Sequence, residues 1–362
     1  MKTIKNIFLL AFMAVILNAC LGDVTIPQYD DIVIVINEGN YLSRNGDISY
    51  YSETTKEVKN KVLTGANGIT SLGAIIQSAE VFTNGGLYVV CNNDDKIEVF
   101  NATTGKVWMQ PYTAHLSTPR YITAGGGRLY ITNRGEGVDE DGSGWLVYPH
   151  AYVLVLQSDS WSKVTEIPCK DAEELFFHNI HNKLYVACRE GVAVIDPNTN
   201  LVEKTLNNGL FGGAKSLAVA GGVLWASFPA EQKLLAINLT NDTVVDDYPM
   251  QIDEFSGKIA TNGAKIYSFK SELNADWTPN KATIYEFDVN TKAAPIVFVE
   301  VTGAWFYSVG VSPFTGNVYT ANVDFENNSL MLVYDSFRNE IARKEVGIGT
   351  CGFRFLSLVM QE

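Results

Sequence analysis

The chain has 362 residues, 46% apolar and 19% charged, and its acidic residues outnumber basic ones 40 to 27 for a formal charge of −13. That usage is ordinary for a globular protein with a large core and excludes wholesale disorder or a collagen-like chain. A chain this acidic does not attract phosphate backbones, so nucleic acid is excluded as a natural partner.

The first predicted element is an address. Lys2 and Lys5 precede an apolar run, Ile7 to Leu17, too short to span a bilayer comfortably and suited to a signal peptide. The run ends in Leu17-Asn18-Ala19-Cys20, which resembles the bacterial lipoprotein box, whose cysteine takes a diacylglycerol. Residues 1–20 are therefore read as a lipoprotein signal peptide with Cys20 lipidated, and 21–31 as a tether. Residues 32–362 are read as one domain.

From residue 32 onward a unit recurs about every 40 residues, with insertions. Each copy has a turn, a hydrophobe, an aromatic and an alternating strand. The aromatics are Tyr88, Tyr130, Tyr185, Trp225, Tyr267 and Tyr319. A second strand, a polar turn and a further strand follow each one. Period-two alternation and turn punctuation agree throughout, and no helical periodicity stands out beyond the signal peptide. Four strands per unit predict an all-β, seven-bladed β-propeller with four-stranded antiparallel blades. The first blade is split. Ile32–Asn37, Asp47–Tyr51 and Val58–Leu63 lack an inner strand, and Gly352–Val359 supplies one, closing the ring.

Aligning the copies puts Asn37, Cys91, Asn133, Cys188, Phe228, Lys270 and Asn322 at one equivalent position. Cys91 and Cys188 then fall in blades two and four, too far apart to bridge, and Cys169 and Cys351 are likewise expected to be buried thiols.

Loops between first and second, or third and fourth, strands share one face of such a ring. They are tight here. Loops between second and third strands, and between blades, share the other face and hold every long segment, among them Glu38–Gly46, Gly65–Gln77, Gln110–Pro119, Arg134–His150, Ser271–Lys281 and Thr302–Phe306. Binding resides where varied loops crown a rigid scaffold. Asn37, Glu38, Asn133 and Arg134 are expected to orient polar groups of a ligand there, with Trp145, Tyr148, Trp277 and Trp305 as flat contacts.

No catalytic or metal-binding residue is assigned. The sequence has no G-x-S-x-G elbow and no P-loop, and its D-x-D-G fragment, Asp139 to Gly142, lacks the spaced Glu of a calcium loop. The neighbours Glu173 and Glu174 alternate to opposite sides of an extended segment, so they form no acid–base dyad.

Val35-Ile36-Asn37-Glu38-Gly39-Asn40, followed by Asn45-Gly46-Asp47, resembles the opening of the YncE-like (DUF5074) surface-lipoprotein propellers of Bacteroidetes. Asn67-Gly68, Leu72-Gly73, Gln77-Ser78, Lys96-Ile97-Glu98-Val99 and Pro119-Arg120-Tyr121 extend the resemblance. It implies a seven-bladed outer-membrane lipoprotein at the cell surface, some of whose relatives capture cobalamin for a TonB-dependent transporter. The Asp-rich export run it implies after the lipid cysteine is reduced to Leu21-Gly22-Asp23, which leaves the periplasmic face as the other placement. The expected function is a non-enzymatic envelope-binding lipoprotein without cofactor, holding a corrinoid or similar bulky nutrient. An adhesion or scaffold propeller and a lactonase-like hydrolase are the alternatives.

Overall fold

The structure is a computed structural model and describes residues 29–139, 142, 144 and 146–359; Cys20 and Trp145 lie outside the described residues. Seven four-stranded antiparallel sheets form a closed ring. Blade 1 pairs β28 (Thr350–Val359), β1 (Tyr29–Asn37), β2 (Asp47–Ser52) and β3 (Val58–Lys59). Blade 2 holds β4 (Ile76–Val81), β5 (Gly86–Cys91), β6 (Lys96–Asn101) and β7 (Val107–Tyr112). Blade 3 holds β8 (Pro119–Gly125), β9 (Arg128–Asn133), β10 (Tyr152–Gln157) and β11 (Lys163–Pro168). Blade 4 holds β12 (Leu175–His178), β13 (Lys183–Cys188), β14 (Gly191–Asp196) and β15 (Leu201–Leu206). Blade 5 holds β16 (Leu217–Ala220), β17 (Val223–Phe228), β18 (Lys233–Asn238) and β19 (Thr243–Pro249). Blade 6 holds β20 (Ile259–Thr261), β21 (Lys265–Leu273), β22 (Pro279–Asp288) and β23 (Ile296–Thr302). Blade 7 holds β24 (Phe306–Val311), β25 (Val318–Asn322), β26 (Asn328–Tyr334) and β27 (Glu340–Ile348).

Closure is as the sequence predicts. β28 runs antiparallel to β1, with Val33 opposite Phe355 and Val35 opposite Phe353. The C-terminal strand thereby removes the free edge that the split blade would otherwise present to solvent. The recurring aromatics are all buried and sit between neighbouring sheets. Three place their hydroxyls on a carboxylate, Tyr185 on Asp242, Tyr319 on Glu53 and Tyr267 on Glu286 at 3.0 Å, which satisfies the polar end of those rings inside the core.

Two predicted elements differ. β3 ends at Lys59 and the chain turns into a short helix, α1 (Val62–Asn67), where the sequence reads an outer strand to Leu63. The buried carboxylate of Asp47 accepts the backbone N–H of Leu63 at 3.1 Å and of Thr64 at 3.2 Å, which satisfies donors that a strand would have paired. The segment Ser271–Lys281 is not a loop. β21 and β22 continue through it as a long hairpin that turns only at Asn274–Thr278.

Candidate functional site

Loop length divides the two faces as expected. On the turn-rich face the longest connection is 289–295, whereas the other face carries 38–46, 60–75, 134–151 and 207–216. Tyr41, Leu42, Ile69, Val138, Leu146, Phe211, Phe255 and Trp277 stand exposed on this loop-rich face. Among the described residues, Ile180, Phe314 and Phe337 are their counterparts on the opposite face.

The mouth of the central channel is charged. Residues at the entry to successive innermost strands converge there: Arg120 from β8, Glu173 just before β12, Lys215 before β16, Lys258 before β20 and Tyr307 from β24. Glu173, whose side chain is 3% exposed, binds Arg120 at 3.0 Å, Lys215 at 3.3 Å and Arg134. Burial raises its affinity for a proton, but the charges of Arg120, Arg134 and Lys215 outweigh that and hold it well below the usual carboxylate range. Glu174 faces the other way, accepting Ser216 Oγ at 2.5 Å and Leu217 N–H at 3.0 Å, so the pair forms no dyad. Burial raises its pKa.

Glu38 stands at the same mouth. Its backbone is fixed on both sides: its N–H donates to Gly349 O at 3.0 Å and its carbonyl accepts Ile76 N–H at 3.2 Å. The next residue, Gly39, has φ +81°, and a Cβ there would sit 2.3 Å from Gly46 N, so only glycine permits this turn. No hydrogen bond to the Glu38 carboxyl is found among the described residues. Burial pushes that carboxyl up to about 7, against the opposing charges of Lys258 and Arg120. Lys258 Nζ lies 5.4 Å over the Tyr307 ring, and its amine donates to Cys351 O. Phe325 packs edge-on to Tyr307 at 5.4 Å and to Trp305 at 5.5 Å. A carboxyl, two cations and an aromatic wall thus share one side of the opening.

On the other side a cleft of about 430 Å³ is lined by Arg134, Leu146, Tyr148, Asp171, Glu173, Lys215, Glu254 and Phe255. A lobe of about 250 Å³, also lined by Asp171 and Lys215, adjoins it. The Arg134 guanidinium lies 4.7 Å over the Tyr148 ring. The Tyr148 backbone N–H donates to Asp171 Oδ1 at 2.7 Å, and Asp171 is paired to Arg189, so this loop is tied to blade 4. Below the mouth the channel narrows to a neck of about 50 Å³ between Gln77, Tyr121, Glu174, Lys258 and Arg354. A bulky ligand is therefore confined to the rim.

The sequence-predicted residues divide accordingly. Arg134 and Tyr148 meet in the cleft, and Glu38 and Trp305 share the opposite side of the mouth. Trp277 is on the expected face but is 78% exposed at the tip of its hairpin, away from both groups. Asn37 and Asn133 do not reach the surface, which corrects their predicted role. The Asn37 amide donates to Ser49 Oγ at 2.9 Å and its oxygen accepts Thr350 Oγ1 at 2.9 Å. Asn133 accepts Ser117 N–H at 3.1 Å and donates to Ile131 O at 3.1 Å. Both spend their amides tying the end of a second strand to the start of the innermost one. Sequence reasoning missed Lys215, Lys258, Phe255 and the hub role of Glu173. Aligning the starts of the innermost strands, rather than the ends of the second strands, would have gathered the two lysines and Glu173.

The profile of a family described as "Domain of unknown function (DUF5074)" matches residues 32–343. No curated protein matches the chain. Among solved structures it is similar to a periplasmic gluconolactonase from Pseudomonas aeruginosa, at 13% identity and TM-score 0.61, covering 92% of this chain and 100% of that one. It is also similar to a putative 6-phosphogluconolactonase from Bacteroides fragilis, at 11% identity and TM-score 0.58, covering 90% and 98%. A third similarity is to hydrazine synthase from Kuenenia stuttgartiensis, at 13% identity and TM-score 0.57, covering 74% and 85%. At these identities the likeness is one of fold.

Proposed function

Since the chain belongs to the DUF5074 family, whose profile spans nearly the whole ring, we propose that it is a non-enzymatic binding propeller of the cell envelope. It is anchored to the outer membrane through a lipid on Cys20 and holds a bulky amphipathic nutrient of the corrinoid class on its loop-rich face. The observation that carries this reading is the cleft beside the channel mouth, where the Arg134–Tyr148 pair, Phe255 and Lys215 line about 430 Å³, a size suited to small-molecule binding. Flat apolar surface there supports stacking against a large ring, and the flanking cations support contact with its amide or phosphate periphery. In this reading the exposed apolar residues around the rim seat the protein on a TonB-dependent transporter that receives the ligand.

Titration of cyanocobalamin into the purified protein tests the corrinoid assignment. Saturable quenching of tryptophan fluorescence at micromolar ligand is the expected result, and no quenching in that range removes the assignment. Stable capture of a host or matrix protein in place of a transporter would favour the adhesion alternative.

One observation favours a second reading, a lactonase-like hydrolase. The Glu38 carboxyl, pushed up to about 7 beside Arg120 and Lys258, has the acidity of a general base working near neutral pH, with cations placed to stabilise a developing oxyanion. Turnover of a sugar lactone, abolished by Glu38→Gln, would establish it.

A further inference from the structure

Two thiols from different blades meet behind the cleft. Cys169 follows β11 and Cys188 ends β13. Both are buried in one apolar cluster, at 7% and 2% exposure. The adjoining backbones are joined where Arg189 N–H donates to Lys170 O at 2.9 Å. Chains hydrogen-bonded in this way lie about 5 Å apart, within the Cα separation of about 4.4–6.8 Å that a disulfide spans. The two thiols are close enough for each to shift the other's acidity, Cys169 upward and Cys188 downward. A cavity of about 260 Å³, lined by both cysteines with Pro149, Pro168, Lys170 and Glu190, gives a reagent access to them.

We propose that Cys169 and Cys188 form a dithiol site that is oxidised to an intramolecular disulfide by exchange with a low-molecular-weight or protein disulfide. Cys188 is the attacking thiol, because it lines both this cavity and the lobe beside Asp171 and Lys215, whereas Cys169 lines only the former. The neighbouring Cys169 thiol favours its thiolate first, and the backbone N–H groups of Glu190 and Ala193 add to this against the cost of burial. The Cys188 thiolate attacks one sulfur of the incoming disulfide and expels the other as a thiolate. The Cys169 thiolate then attacks Cys188 sulfur in the mixed disulfide and expels the second thiolate. The two protein thiols give up their protons and two electrons, and the incoming disulfide is reduced to two thiols. The bond joins the exit of blade 3 to the second strand of blade 4, next to Asp171, which holds the Tyr148 loop.

Cys91 and Cys351 are built-in controls. Their thiols lie against the backbone oxygens of Leu72 and Ile76, and neither faces another thiol among the described residues. The test treats the purified full chain with oxidised glutathione, alkylates remaining thiols in denaturant, and maps unreduced peptides by mass spectrometry. The expected product links the Cys169 and Cys188 peptides, leaves Cys91 and Cys351 alkylated, and melts about 5 °C above the reduced protein. Alkylation of both Cys169 and Cys188 after treatment, or glutathione retained on Cys188 alone, overturns the proposal. In the variant Cys169→Ser, glutathione is expected to stay trapped on Cys188. In Cys188→Ser, Cys169 stays unmodified, and the reverse pattern overturns the assignment of the attacking thiol.

Discussion

Glu38 is held where it costs stability when ionised. Its pKa rises from an ordinary value of 4.5 to about 7 on folding, because burial outweighs the nearby cations Lys258 and Arg120. The contribution it makes to stability is therefore complete below pH 4.5 and lost as pH rises through 7. Glu38→Gln removes this dependence. Relative to wild type at the same pH, it should gain up to about 3 kcal/mol at pH 8 over its standing at pH 4, read from thermal melts. Glu173 has the opposite balance. Glu173→Gln leaves Arg120, Arg134 and Lys215 facing one another without a counter-charge and should cost about 3–5 kcal/mol in denaturant unfolding. The sequence marked Glu38, Arg134 and Tyr148 because they follow second strands or lie in long loops. It misjudged Asn37 and Asn133 because a buried asparagine that ties two strands together and an exposed one that contacts ligand occupy the same position in the repeat. Only the register of the innermost strand, set by tertiary closure, separates them.

At the scale of elements, β-branched alternation and the recurring aromatic were enough to count the blades and to find β28 at the far end of the chain. Period two is a local property, and every blade repeats it. α1 was not legible because its six residues carry no amphipathic period; it is specified by Asp47, a contact made through folding. The segment Ser271–Lys281 was read as a loop, although Glu272, Asn274 and Asp276 alternate with Leu273, Ala275 and Trp277 and the ladder continues through part of that stretch. Closure by β28 makes a direct prediction. Truncation after Gly349 strips β1 of its inner partner, β28, and exposes Val33 and Val35 along an open edge. The truncated chain should lose its cooperative thermal transition and self-associate in size-exclusion chromatography, whereas a wild-type melt would show that the other six blades suffice.

At the scale of the whole molecule, a narrow neck beneath a broad, charged and aromatic rim directs binding to one face. The ring brings Arg120, Glu173, Lys215 and Lys258 together from four blades, although about 140 residues separate the first from the last, and no local pattern announces that convergence. In the proposed complex a bulky ligand rests against the Arg134–Tyr148 pair. Calorimetric titration of cyanocobalamin into wild type and into the double variant Arg134→Ala/Tyr148→Ala tests it most directly. One ligand per wild-type chain is expected, with affinity at least about tenfold weaker in the variant, equivalent to about 1.4 kcal/mol. Equal affinity in the two proteins, or no heat from either, would contradict it.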